Sequence, residues 1–240
     1  MSSPLISPAV SHWLRRFVPS ALAVGWRERI RSSIGALLGI ALTGFAMRWF
    51  NGDPSTMPWL VAPMGASAVL LFAVPSSPLA QPWSILGGNL VAAIVGVACA
   101  KLVADPTVAA ALAVSLAIAL MFALRCVHPP SGAVALTAVL GGPTIHALGF
   151  GFVLDPIAIQ SVSLLGSAML YHLVTGHPYP HHGPPESSVR KQSSQERHLP
   201  ELRKELDAAL KRHGELLDID PADLESVVHE ALSLARIKVK

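Results

Sequence analysis

Charge is what this chain has least of. Of its 240 residues 14% are charged and 52% hydrophobic, a balance foreign to a soluble domain. The shortage is regional. Between residues 34 and 175 the charged side chains are Arg48, Asp53, Lys101, Asp105, Arg125 and Asp155, whereas residues 186–240 are densely charged with both signs. Cysteine is nearly absent too. Cys99 and Cys126 lie in or beside apolar runs, which excludes a disulfide framework or a thiolate metal cluster and leaves two small buried hydrophobes. Aromatic residues make up 6% and do not interleave with basic ones, so the net charge of +3 is no nucleic-acid footprint, and no such partner is expected. The apolar body lacks paired carboxylates, a nucleophile–base set and a phosphate loop. We therefore expect no enzyme, no cofactor and no metal site.

What the chain has in abundance is long apolar segments. Six can be drawn, at 32–50, 59–74, 83–103, 108–124, 131–153 and 156–174, against the roughly 20 residues that a bilayer crossing needs. The second is short and the fifth is interrupted by Gly141-Gly142-Pro143, so the count is six spans, or four if those two are re-entrant. The expected fold is an all-α, polytopic transmembrane bundle whose partner is the lipid bilayer. Around it lie a basic cytoplasmic segment (1–30), the membrane domain (31–175), a Pro/His-rich linker (176–198) and an amphipathic helical tail (199–240).

Several local signals refine this outline. Asp53-Pro54, Asp105-Pro106 and Asp155-Pro156 each precede an apolar run, as an N-cap followed by proline at the first helical position would. Gly35 and Gly39, and the series Gly88, Ala92, Gly96 and Ala100, are small-residue stripes suited to close helix packing. Arg15, Arg16, Arg27, Arg29 and Arg31 precede the first run, which carries no cleavage signature. It reads as a retained anchor with its N-terminus in the cytoplasm, and an even number of crossings returns the tail to that side. The inner membrane of a bacterium is the expected location. The linker His177, His181 and His182 lack acidic or cysteine partners for a metal. In the tail, Leu202, Leu206, Leu210 and Leu217 fall on one stripe, and a second helix opens at Asp220-Pro221. This unit is too small for a core of its own, so pairing with a twin subunit in a homodimer is expected.

One pattern points to a site. Pro63-Met64-Gly65-Ala66-Ser67-Ala68 returns as Pro130-Ser131-Gly132-Ala133-Val134-Ala135, 67 residues later. Each copy opens the second segment of a three-segment unit, and an odd number of spans per unit inverts the second unit. Paired Gly/Pro-interrupted segments in two halves mark transport sites. Unpaired amides at two such helix starts would draw a small anion. The expected contributors are the backbones of Gly65, Ala66, Gly132 and Ala133, the hydroxyls of Ser67 and Ser131, and the side chains of Arg125 and His128, with Gln81 and Asn89 as secondary candidates. The rival reading is a dimeric anchor or sensor that presents the cytoplasmic helices.

Arg125-Cys126-Val127-His128-Pro129-Pro130-Ser131-Gly132-Ala133 resembles the HPP family of integral membrane proteins, named for its His-Pro-Pro motif. The runs 63–72 and 77–83 resemble it as well, and the similarity extends over about 27–175. The resemblance implies a multi-span membrane domain and, in plastid and cyanobacterial-type members, nitrite movement. Many bacterial members add a tandem CBS nucleotide-binding module. None lies in these 240 residues, so adenylate sensing is not expected.

Overall fold

The computed structural model describes residues 24–51 and 60–181, together with 208, 209, 212, 219 and 223–228. The helices are α1 (Trp26–Asn51), α2 (Pro63–Ala73), α3 (Pro82–Leu102), α4 (Pro106–Ala123), α5 (Ser131–Leu140), α6 (Gly142–Leu148) and α7 (Ile159–Thr175). A 3-10 turn at Pro78–Ala80 precedes α3, and a π-helical turn at Val153–Ala158 leads into α7. Among the described residues there is no strand, and the all-α expectation holds.

Proline and the caps set most boundaries. Pro63, Pro82 and Pro106 stand in the first turns of α2, α3 and α4, where a missing N–H costs nothing. Asp105 caps α4 as expected, its carboxylate accepting from Val108 N at 2.8 Å. Asp155 takes extended dihedrals at a kink between two helical stretches, directly before Pro156, the backbone position of a helix cap. Asp53-Pro54 lies outside the described residues. The first helix also starts earlier than expected, at Trp26 rather than residue 32. Glu28 and Arg31, one turn apart, pair through the guanidinium at 2.8 Å, which carries α1 beyond its apolar stretch.

Four helical stretches are long and apolar enough to cross a membrane: Trp26–Phe50, Pro82–Leu102, Pro106–Ala123 and Val153–Thr175. The fifth apolar segment breaks where expected. α5 and α6 meet at 100° around Gly142, whose φ of +79° suits glycine. The second segment is the 11-residue α2. The outer surface carries Leu37, Trp49, Leu102, Phe122 and Leu173 exposed, which is what a hydrocarbon solvent permits and water does not.

Contacts between ends give the path of the chain. Arg31 near the start of α1 donates to Phe72 O at the end of α2 (3.2 Å). His172 near the end of α7 donates to Leu71 O (2.8 Å). Trp83 at the start of α3 donates to Leu124 O just past α4 (3.1 Å). Tyr179 donates to Ala80 O (2.8 Å). The start of α1, the end of α2, the start of α3, the end of α4 and the end of α7 therefore gather at one end of the bundle. Lys101, on the last turn of α3, lies beside Gly149 at the other end. Successive segments thus run in alternating directions, α2 and the bent α5–α6 included. α3 is the central helix, packed by α4, α5 and the π-helical turn, while α1 packs on α7 and α2.

Small residues fix the closest approaches. A Cβ on Gly35 or Gly39 would meet the Phe72 ring at 2.5 and 2.6 Å, and one on Gly96 would meet Ala138 Cβ at 2.7 Å. The α1 and α3 stripes are packing surfaces, as expected. Cys99 and Cys126 are buried. Residues 177–181, the described start of the linker, are irregular and dock on the bundle instead of lying free: His181 N donates to Gln81 Oε1 at 3.0 Å. Burial raises the Tyr179 phenol above its usual range and keeps it a donor. His181 also meets Asp223 at 2.8 Å, at the start of a helical piece (223–228) that falls within the second expected tail helix. Most of the first tail helix lies outside the described residues.

Candidate functional site

The two repeated motifs meet. Ser67, in the second turn of α2, places its Oγ 2.8 Å from His128 Nε2, and both residues are fully buried. The other ring nitrogen, Nδ1, lies 2.8 Å from Leu79 O. A carbonyl only accepts, so Nδ1 carries the proton and Nε2 accepts from the Ser67 hydroxyl.

The polar contacts continue around the bundle. Ser131, opening α5, donates to Asn89 Oδ1 of α3 at 2.8 Å. Asn89 Nδ2 donates to Ser161 Oγ of α7 at 3.0 Å. Next to Ser161, Gln160 accepts the Val61 N–H at 2.9 Å through Oε1, at the entry to α2. Asn89, Ser131, Gln160 and Ser161 are all buried. The contacts form a circuit through α2, α7, α3 and α5, closed by His128 and Ser67. Polar groups in an apolar bundle persist only where they are partnered or used.

The remaining sequence candidates take other places. Gly65, Ala66 and Ala133 are exposed on outer helix faces and Gly132 is half-buried. The amides of Gly65, Gly132 and Ala133 close turns onto Ala62 O (3.0 Å), Pro129 O (3.1 Å) and Pro130 O (3.0 Å). The expected cradle of free amides is therefore not what these helix starts present. The cause is local: Ala62 and Pro130, the capping residues, already have helical dihedrals, so one tighter turn precedes each helix and gives the first amides acceptors. Side chains supply the polar groups instead.

Gln81 is spent on the fold. Its Nε2 donates to Pro75 O (3.1 Å) and Ser77 O (2.9 Å), and its Oε1 accepts from His181 N. Arg125 is exposed at the gathered end, outside the circuit. It follows α4 with φ +55° in a Schellman turn, Cys126 N bonding Met121 O (2.9 Å) and Arg125 N bonding Phe122 O (3.2 Å). The same two bonds end α7, where the left-handed residue is Gly176. Left-handed dihedrals cost a non-glycine residue roughly 1–2 kcal/mol, offset in part by the extra entropy glycine loses on folding. Arg125→Gly is expected to raise stability by about 0.5 kcal/mol. A rise in thermal midpoint in detergent checks it, and a fall would show that the arginine head contributes more than its backbone costs.

Two groups of residues escaped the sequence reading. Gln160 and Ser161 were passed over as part of an apolar run, although an amide there demands a partner. At the gathered end Arg31 donates to Phe72 O and approaches His172 Nδ1 at 3.3 Å, and Tyr171 OH donates to Arg31 O at 2.8 Å. These groups satisfy the open carbonyls at the C-terminus of α2, where positive charge is favoured.

The transmembrane region of the HPP family matches residues 21–180, the stretch that holds every membrane-length helix among the described residues and the whole circuit. The chain belongs to the HPP family. It is accordingly an integral membrane protein. Two relatives from Dictyostelium discoideum, each named only as a transmembrane protein, are both 36% identical to it. One aligns over 151 residues, 61% of this chain and 46% of its own length, and the other over 157 residues, 64% and 53%. The chain spans about half the length of these curated relatives. No solved structure matches it. Within this HPP chain the His-Pro-Pro motif has a structural reading: the His128 ring reaches back to Leu79 and across to Ser67, while the carbonyls of His128, Pro129 and Pro130 receive the first three α5 amides.

Proposed function

We propose that this HPP protein moves a small inorganic anion, nitrite foremost, across a bacterial inner membrane, with no covalent step. The observation that carries the reading is the buried circuit of Ser67, His128, Ser131, Asn89, Ser161 and Gln160, set where the two half-length helices begin. Short α2, bent α5–α6 and the alternating directions support an inverted pair of units, α1–α3 and α4–α7, with the substrate path between them. In that arrangement α1 packs on α7 and α2 as α4 packs on α3 and α5. The resemblance to nitrite-moving members favours nitrite over other monoanions.

Arg27, Arg29, Arg31 and Arg125 lie at the gathered end, and the positive-inside rule favours the cytoplasmic side for it. A membrane negative inside opposes anion entry by about 2.3 kcal/mol per charge per 100 mV, so unassisted flow runs outward. The direct test is flux in proteoliposomes. Nitrite efflux above that of empty vesicles is expected, and it should accelerate when the interior is made negative. Purified protein that moves none of nitrite, nitrate, formate and bicarbonate would end the transport reading.

A further inference from the structure

The carboxamide of Gln160 is half used. Its Oε1 accepts the Val61 N–H at 2.9 Å. Its Nε2 is the one buried side-chain polar atom among the described residues with no hydrogen-bond partner. The group cannot turn over to remedy this, because a flip would set the NH2 against the Val61 N–H. Gln160 is fully buried, on α7 one residue from Ser161 and so beside the Ser161–Asn89–Ser131 chain. Its held oxygen fixes the amide at the entry to α2, an 11-residue helix. Buried donors in native proteins are nearly always satisfied, and an exception asks for a role.

We infer that Gln160 is the residue that grips the transported anion, its two free N–H groups donating to an oxygen of the substrate. The inference rests on the transport reading and sharpens it. The groups around Gln160 in the circuit are neutral: an amide, hydroxyls and a histidine whose contacts suit the neutral ring. The Born cost of taking an ion from water rises with the square of its charge, and neutral donors cannot offset that rise. The site takes compact monovalent oxyanions of the nitrite or formate kind and refuses sulfate and hydrogen phosphate.

The experiment reconstitutes the full chain and two variants in liposomes and measures nitrite and sulfate flux against nitrite concentration. Gln160→Glu keeps an acceptor for Val61 and removes the NH2; Gln160→Met removes both functions. The native chain should carry nitrite at least tenfold faster than sulfate. Both variants should lose tenfold or more of nitrite flux at subsaturating nitrite, with Gln160→Glu still incorporated as folded protein. Should Gln160→Met fail to incorporate, Gln160→Glu alone decides. Nitrite flux within twofold of native in a correctly incorporated Gln160→Glu would make Gln160 a purely structural tether, and equal nitrite and sulfate rates would overturn the charge selectivity. A native chain that carries no anion removes the transport reading itself, and the role of Gln160 with it.

Discussion

Gly88→Ala is expected to cost about 1–3 kcal/mol of stability, and Gly88→Leu to abolish recovery of folded protein. A methyl carbon on Gly88 would stand 2.8 Å from Cys126 O, 2.9 Å from His128 Cβ and 2.9 Å from Ser131 Oγ. The first of these is backbone and cannot rotate away. The other two belong to the His-Pro-Pro turn, which His128 ties to Leu79 and Ser67. Relief would have to come from moving α5 off α3, with loss of the Ser131–Asn89 bond. The motif glycines supply the contrast. A Cβ on Gly65 or Gly132 meets nothing within 4 Å, and both positions are helical. Alanine there should be tolerated and gain up to about 1 kcal/mol of helix propensity. Thermal unfolding in one detergent, run on Gly88→Ala, Gly65→Ala and Gly132→Ala together, checks the set. A midpoint for Gly88→Ala equal to the native value would mean that α3 and the turn are not packed as described.

That contrast shows what could be read in the sequence and what could not. Apolar periods and proline punctuation determine helices one by one, so α3, α4 and the break at Gly141-Gly142 were legible within a few residues. The repeat of Pro63–Ala68 at 130–135 named Ser67 and Ser131, which the fold brings together with His128 and Asn89, polar candidates noted separately. It assigned the wrong task to the motif glycines. Whether a helix start has free amides depends on the dihedrals of the residue before it, and Ala62 and Pro130 show no sign of theirs in a one-letter code. Arg125 misled because charge next to a motif looks like charge in a site, whereas the left-handed turn after α4 carries it to the outside. Gln160 was missed for a different reason. Its partner, Val61 N–H, is 99 residues away, and only the tertiary fold makes half of its amide redundant.

His128→Asn should leave the protein folded and lower anion flux by tenfold or more. The asparagine Nδ2 can occupy the place of Nδ1 and preserve the bond to Leu79 O, so the turn stays tethered. What disappears is the acceptor for Ser67. That hydroxyl has a fallback in Pro63 O, now 3.3 Å away and four residues earlier on its own helix, so the stability loss is the net value of one buried bond, about 1 kcal/mol. Ser67→Ala removes the same contact from the other side and should cost a similar amount. Once Ser67 is alanine, His128→Asn has no bond left to break, and the double variant should be more stable than the sum of the single losses predicts, by about 1 kcal/mol. Flux should follow the same logic. If the circuit is the path, either single change interrupts it and the second adds little. Additive losses in stability would deny the contact between the two motifs. Native flux through His128→Asn would detach the circuit from transport even though the contact stands, and the buried polar ring would then serve only to hold α2 against α5.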